Sequence, residues 1–221
     1  SPWIGLKNFK FLFASDDAFI MIRNTLGYNV FWIILNMVLG VAVAILFNEI
    51  ISKKAKKFYQ TAILLPYLMS MVVVAYLVYA FLSADTGLVN NSIIKGLMGK
   101  DTGISWYMES KYWPFILTFV NSWKSIGFGM LLYLSSLLGI DSSLYEAARI
   151  DGATRWQQIR KITIPLLKPT IIMLVILNIG QIFRSDFGLF YQVPMNQGKL
   201  YSVTQTIDTY VYRALLVNNN F

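Results

Sequence analysis

Residues 24–48 read NTLGYNVFWIILNMVLGVAVAILFN, and none of these 25 residues carries a charge. A second uncharged stretch, residues 58–84, runs for 27 residues. Each is longer than the roughly 20 apolar residues with which an α-helix crosses the hydrocarbon core of a bilayer. The two stretches therefore predict membrane-spanning helices, and with them an all-α membrane protein.

Two further stretches extend this pattern. Residues 112–140 are interrupted by one charged side chain, Lys124. The last uncharged run, residues 169–183, has 15 residues and can span a bilayer only with the help of its neighbours. We therefore predict a single transmembrane domain over residues 1–221, with four spans at about 24–48, 58–84, 112–138 and 166–190.

Composition supports a membrane protein and excludes several kinds of chemistry. Hydrophobic residues make up 56% of the chain and charged residues 14%, with a mean hydropathy of +0.54. Soluble domains carry roughly 25% charged residues. The sequence has no cysteine and no histidine, which excludes disulfides, thiol nucleophiles, Cys/His metal sites and catalytic triads that use imidazole.

The net charge of +8 is concentrated in two loops. Residues 49–60 and 140–168 together carry nine of the 19 basic residues, whereas the segments on the opposite side share eight over about twice the length. Basic loops face the cytoplasm in multi-pass proteins, so we place these two loops there. The division of the charge among short loops disfavours a nucleic-acid site.

The 29-residue loop between the third and fourth predicted spans is too long for an unstructured connection. Ser143 and Glu146 have the spacing of a capping box, which predicts a short helix ending before Gly152. Gly152 permits a chain reversal that a Cβ atom would resist. Thr154 and Gln157 predict a second capping box and a second short helix.

This helical hairpin has two possible functions on physical grounds. Pro165 and Pro169 mark the return of the chain to the membrane. The first helix presents Leu144 and the small residues Ala147 and Ala148, so a cytoplasmic partner could dock closely against it. Alternatively, the hairpin is amphipathic and lies on the membrane surface.

The residue pattern of this loop resembles the EAA loop of ATP-binding-cassette (ABC) importer permeases. That pattern is E-A-A, three residues, G, nine residues and I-x-L-P, and the spacing is kept here with Ile164 in place of the usual leucine. The resemblance implies that the loop couples the chain to ATPase subunits. The residues that carry it are Glu146, Ala147, Ala148, Gly152, Ile162 and Pro165.

Other segments resemble the carbohydrate-type members of the same superfamily. These are GLKNF at residues 5–9, RNTL at 23–26 and LLP at 64–66. The segment IDTYVYR at residues 207–213 resembles the polysaccharide and oligosaccharide branch. The resemblance implies the polytopic helical bundle of type I ABC importer permeases, with six spans in the full-length protein and further spans beyond both ends of this chain.

The resemblance also implies a role and a set of partners. The chain would be a transport subunit without its own ATPase site, a multi-pass protein of a bacterial inner membrane, and half of a translocation pathway for a sugar or oligosaccharide. It would need no cofactor, because ATP and Mg would be bound by the partners. The expected partners are a second homologous permease subunit, two ATP-binding subunits, an extracytoplasmic solute-binding protein, membrane lipid and the carbohydrate substrate.

Polar residues inside predicted spans are costly, and so they are candidates for lining the translocation path. Lys124 lies near the middle of the third span, and Asn121 is three positions away on the same helical face. A polar stripe on the fourth span is predicted by Asn178, Gln181 and Arg184, which recur at spacing three. Two tyrosines in the second span, Tyr76 and Tyr79, could stack on a sugar ring. Packing between helices is the alternative role for each of these residues, which are Asn178, Gln181, Arg184, Tyr76 and Tyr79.

The two basic groups among these candidates, Lys124 and Arg184, suggest that the saccharide is acidic. Three alternatives to a sugar permease are an ABC permease for a non-sugar solute, a simple channel, and a membrane-embedded enzyme that acts on glycans or lipids. Such an enzyme could use Asp85, Asp101 and Glu109 as paired carboxylates.

Overall fold

The computed structural model describes residues 16–97 and 103–217, so residues 5–9 and Asp101 lie outside the described residues. The described residues form helices and loops without a β-strand. The helices are α1 (Asp16–Asn48), α2 (Lys53–Leu68), α3 (Met71–Leu82), α4 (Trp113–Leu138), α5 (Ser142–Ile150), α6 (Arg155–Gln158), α7 (Ile164–Ile179), α8 (Phe187–Tyr191), α9 (Tyr201–Thr204) and α10 (Ile207–Tyr212). Segments Val89–Leu97, Ile159–Thr163 and Arg213–Val217 are π-helical, and Trp106–Met108, Ser110–Tyr112 and Gly198–Leu200 are 3₁₀ turns.

Three of the helical stretches are long and apolar enough to cross a membrane. They are Asp16–Asn48, Ser110–Leu138 and Arg155–Ile179, with mean hydropathies of 2.7, 1.3 and 2.0 over their most apolar windows. Only 22%, 22% and 11% of those windows are buried within the chain. The remaining apolar surface is therefore available to lipid or to other membrane subunits.

The second predicted span is not one continuous helix. Helices α2 and α3 are bent by 97° where they meet, and they form a fourth span only if the bent pair is counted as one. Pro66 near the end of α2 lacks the N–H that would continue the hydrogen-bond ladder. Ser70 then starts α3 as its N-cap, with its hydroxyl accepting the Val73 N–H at 3.4 Å.

The fourth predicted span also has different limits. The helical stretch begins at Arg155 inside the long loop and ends at Ile179, and it does not continue to residue 190. Pro165 and Pro169 do not end it. In the π segment before Pro165 the N–H of Ile164 reaches back five residues to the Ile159 carbonyl, which redirects the ladder where proline has no donor.

The chain divides into two compact units. The second unit comprises residues 32–68 and 122–181. Helices α2 and α4 of this unit approach closely at Gly127, where an added Cβ atom would lie 2.2 Å from the Ile63 carbonyl oxygen. Small residues permit such close helix contacts in membranes. The buried core of this unit consists of Ala44, Phe47, Met130, Tyr133, Leu134, Leu137 and Leu167.

The first unit comprises, among the described residues, 16–31, 69–97, 103–121 and 182–217, and a fully buried asparagine organises one of its loops. The Asn90 amide donates to the carbonyls of Ser83, Ala84 and Ile104 at 2.8–3.2 Å. Its Oδ1 accepts the Ile104 N–H at 3.1 Å and the Trp106 indole N–H at 3.0 Å. One side chain therefore ties together the chain segments before and after the Val89–Leu97 turn.

A second polar cluster in the first unit involves the segment IDTYVYR. The carboxylate of Asp208 accepts the Ser185 N–H at 2.7 Å and the Ser185 hydroxyl. Thr206 and Thr209 form a capping box that starts α10, and the Thr25 hydroxyl accepts the Ile207 N–H at 3.2 Å. Part of α10 is therefore joined both to the chain after α7, through Ser185, and to α1, through Thr25.

Candidate docking loop and path residues

The first helix of the long loop, α5, is capped two residues earlier than the sequence predicts. Asp141 is its N-cap, and its carboxylate accepts the Ser143 N–H at 2.9 Å. This hydrogen bond holds the pKa of Asp141 below its usual range. The predicted capping box of Ser143 and Glu146 is therefore wrong, because an aspartate two residues before Ser143 takes the capping position. Glu146 is left exposed on the helix.

The reversal between α5 and α6 follows the sequence prediction. Gly152 has φ +76°, in the left-handed region that glycine adopts without strain. Thr154 and Gln157 form the predicted capping box: the Thr154 hydroxyl accepts the Gln157 N–H, and the Gln157 side chain accepts the Thr154 N–H at 2.8 Å. The loop is thus a helix, a glycine turn and a second helix.

The exposed face of α5 carries apolar side chains, and α6 exposes a tryptophan. Ile150 is 86% exposed, Trp156 is 68% exposed and Leu144 is 45% exposed. Ala147 lies on the same exposed face, because residues three apart on a helix are neighbours. Ala148 is half-buried instead, so only one of the two alanines is fully presented to a partner. Ile150 was not predicted as a docking residue, although its spacing from Ala147 is a signal for it.

The opposite face of α5 packs against the chain. The Tyr145 hydroxyl lies 3.0 Å from the Thr163 hydroxyl in the π segment. Ile162 in the same segment is half-buried, and Pro165 at the start of α7 is exposed. The EAA-type residues are therefore divided between an exposed helix and the base of the fourth helical stretch.

The hairpin is also joined to the end of α1. Arg155 forms an ion pair with Glu49 at 3.7 Å, but both side chains are about half exposed and such pairs stabilise little. A cavity of about 250 Å³ lies beside this pair, and Glu146 and Arg149 contribute to its lining. Gln158 is buried at its edge, where it donates to the Ala153 carbonyl at 3.1 Å.

The predicted polar stripe on the fourth span does not form. Asn178 lies on α7, where its amide donates to the Leu174 carbonyl at 2.7 Å, but the helix ends at Ile179. Gln181 and Arg184 follow in the turn after the helix, and both are exposed. A spacing of three aligns side chains only on a continuous helix, and here the helix stops between the first two members.

The other path candidates are on helices. Lys124 is half-buried on α4, and its ammonium group donates to the carbonyls of Pro66 and Tyr67 at 3.3 and 3.4 Å. Asn121, one turn earlier on α4, is half-buried. On α3, Tyr76 is 65% exposed and Tyr79 is 45% exposed. Their contribution to a translocation path stays a prediction.

Of the carboxylates considered for an enzyme, Glu109 forms an ion pair with Lys111 at 3.4 Å, and Asp101 lies outside the described residues. The described part of the chain also contains no group of three or more acidic residues that could hold a metal ion.

Comparisons with known proteins agree on the family. Residues 36–185 match the family described as binding-protein-dependent transport system inner membrane component. The whole chain is 33% identical to the polygalacturonan/rhamnogalacturonan transport system permease protein YteP of Bacillus subtilis, and it spans 67% of that relative's length.

Solved structures give the same result at the level of the fold. The chain is similar over its full length to a chain of a bacterial ABC transporter involved in the import of the acidic polysaccharide alginate, with a TM-score of 0.91, 34% identity and 75% of that chain covered. A bacterial alginate ABC transporter in complex with an alginate pentasaccharide-bound periplasmic protein has a TM-score of 0.89 and 35% identity, with 98% of this chain and 73% of that chain covered. The predicted all-α permease fold is therefore confirmed. The helical hairpin with its exposed glutamate, the membrane-length helices and these matches lead to one conclusion: the chain belongs to the family of binding-protein-dependent transport system inner membrane components, the multi-pass permease subunits of ABC importers.

Proposed function

We propose that this chain forms half of the translocation pathway of an ATP-driven importer for an oligosaccharide. The observation that carries the proposal is the hairpin α5–α6, which exposes Glu146 together with the apolar side chains of Leu144, Ile150 and Trp156. An exposed apolar patch with charges beside it is typical of a protein interface. On this proposal one of the two ATP-binding subunits docks on the hairpin.

The remaining partners and the energy source follow from the same proposal. A second homologous permease subunit completes the pathway, an extracytoplasmic binding protein delivers the saccharide, and lipid covers the apolar outer faces of the helices. ATP and Mg are bound by the ATP-binding subunits, so the chain acts as a transport subunit without catalysis of its own. Its sequence has no G-x-x-x-x-G-K-[ST] phosphate-binding motif, which supports this division of labour.

Replacing Glu146 with lysine tests the docking part of the proposal. We expect the assembled importer to retain about a tenth or less of the ATP-binding subunits, because the substitution reverses a charge at the centre of a contact surface. The measurement is the amount of ATP-binding subunit recovered with the tagged permease after detergent extraction. Glu109→Lys is the matched control, because Glu109 is also exposed and lies in a loop outside the hairpin. Equal recovery with both variants would show that the hairpin is not the docking site.

We further propose that the saccharide is acidic. Two of the similar proteins are named for the transport of polygalacturonan/rhamnogalacturonan and for the import of alginate, which supports the proposal. In this chain, Arg184 supports it as well. Its side chain is exposed directly after the fourth helical stretch, and no described carboxylate lies within ion-pair distance of it. Arginine is suited to a carboxylate because its planar guanidinium can donate two parallel hydrogen bonds.

The acidic-substrate proposal predicts a selective effect of Arg184→Gln. Uptake of an acidic oligosaccharide, such as an oligogalacturonate, should fall about tenfold, which corresponds to the loss of one charge-assisted hydrogen bond. Uptake of a neutral oligosaccharide of equal length should change less than twofold. The measurement is uptake by proteoliposomes that contain the complete importer and its binding protein. Lys199→Gln removes an exposed charge elsewhere and serves as the control. Equal losses for the two sugars would contradict charge recognition by Arg184.

A further inference from the structure

The last turn of α2 is held by a short segment of α4. Lys124 donates to the carbonyls of Pro66 and Tyr67 at 3.3 and 3.4 Å. One turn later the ring of Phe128 stacks on the ring of Tyr67, with centroids 4.9 Å apart and planes within 8°. These two α4 residues are four positions apart, so they lie on one face of the helix.

The close contact at Gly127 belongs to the same face. Its backbone lies against the Ile63 carbonyl, one turn before Tyr67 on α2, and leaves no room for a Cβ atom. Lys124, Gly127 and Phe128 therefore form a continuous contact with α2 from Ile63 to Tyr67. We call these three residues the α4 clamp.

The position of the clamp matters because α2 ends there. The last four carbonyls of any helix lack partners within the helix, and Pro66 and Tyr67 are among the last four residues of α2. In a bilayer no bulk water can satisfy these carbonyls. A lysine ammonium group has three donors and no acceptor, and a positive charge at a helix C-terminus is favoured by the helix dipole. Lys124 therefore supplies hydrogen-bond donors and a positive charge to the C-terminal end of α2.

We infer that Lys124 is a positioning residue that caps α2 and fixes the point at which α2 gives way to α3. This inference assigns Lys124 a role other than substrate recognition, for which the sequence makes it a candidate. On this assignment the ammonium group of Lys124 binds the end of α2, and the guanidinium group of Arg184 binds the anionic sugar. The uptake readout below rests on the proposed import function, whereas the structural readout does not.

The absence of native cysteine allows a direct test at the end of α2. A single cysteine replaces Leu68, the last residue of α2, whose side chain is 76% exposed, and carries a nitroxide label in the complete importer reconstituted in nanodiscs. Lys124→Met keeps a long, flexible side chain but removes the ammonium donors. We expect it to increase the mobility of the label at position 68 at least twofold. A label at Leu138, which is 64% exposed at the end of α4, should not change.

The same variants are assayed for uptake. Lys124→Met should reduce uptake of acidic and neutral oligosaccharides by the same factor, about tenfold, because a displaced helix end affects every substrate. Lys124→Arg keeps the charge and the donors and should restore most of the uptake and the low mobility of the label. If Lys124→Met does not insert, Lys124→Gln keeps one amide donor group, and an intermediate mobility is expected.

Two results would overturn the inference. One is an unchanged label mobility at position 68 in both Lys124→Met and Lys124→Gln. The other is a selective loss of acidic substrate in Lys124→Met with neutral uptake intact, which would make Lys124 a substrate ligand. If the unsubstituted importer takes up neither sugar, the proposed function fails, and the label mobility still decides whether Lys124 caps α2.

Discussion

Gly127→Ala should destabilise the protein by about 3 kcal/mol, at the upper end of the usual cost of overpacking. The new Cβ atom would lie 2.2 Å from the Ile63 carbonyl oxygen and 2.9 Å from the Ile63 carbonyl carbon. Both are backbone atoms of α2, so no side-chain rotation can relieve the clash, and the two helices must move apart. We expect a fall of roughly 6–12 °C in the midpoint of thermal unfolding in detergent, since each kcal/mol shifts the midpoint by about 2–4 °C in a chain of this size.

Gly129→Ala is the matched control for this prediction. Gly129 lies on the same helix, and no atom is within 4 Å of the position its Cβ would take. Alanine there should leave the unfolding midpoint unchanged or raise it, because alanine stabilises a helix by up to about 1 kcal/mol relative to glycine. If the two variants unfold at the same temperature, the close approach of α2 and α4 at Gly127 is incorrect.

Asn90→Leu should destabilise the loop between α3 and α4 by about 4 kcal/mol, which is comparable to or larger than the destabilisation by Gly127→Ala. Leucine has a similar volume but can make none of the five hydrogen bonds through which Asn90 joins Ser83, Ala84, Ile104 and Trp106. Each buried group that is left without a partner costs about 1–3 kcal/mol, and part of that cost is recovered when the loop opens to water. We therefore expect local opening of the segment between α3 and α4.

Limited proteolysis measures this opening. Lys95 is exposed on the Val89–Leu97 turn, and trypsin should cleave after it at least tenfold faster in Asn90→Leu than in the unsubstituted protein. Asn91→Leu is the control, because the exposed Asn91 makes one side-chain hydrogen bond, to the Asp85 carbonyl at 3.1 Å. Equal cleavage rates in the two variants would show that Asn90 does not organise the loop.

The membrane-spanning segments could be predicted from the sequence because they depend on local composition. The uncharged run of 25 residues at 24–48 predicts α1 directly, and α4 is predicted by an apolar stretch that one charged residue, Lys124, interrupts. The bend between α2 and α3 could not be predicted in the same way. Pro66 and Ser70 are visible in the sequence, but prolines are tolerated inside other membrane helices, as Pro169 is in α7.

The loop hairpin was predictable because its spacing is fixed by a motif and by local capping. Even there, the choice between Asp141 and Ser143 as the N-cap depends on which side chain is positioned to accept a free backbone N–H. The contacts made by Asp208 with Ser185, and by Asn29 with the carbonyls of Ile182 and Arg184 at 2.7 and 3.0 Å, join segments far apart in the chain. No periodicity in the sequence marks such pairs, because they depend on tertiary packing.

The continuous helical stretch Arg155–Ile179 has a mechanical consequence. Its 25 residues amount to a rod of about 37 Å at 1.5 Å per residue. Trp156 stands at one end of this rod and Asn178 at the other. A tilt of the rod by about 10° about its Arg155 end would move the far end by about 6 Å, from the same rise per residue. Pro165 and Pro169 lie within this stretch without interrupting it. The hairpin and the opposite end of the helix can therefore move as parts of one lever.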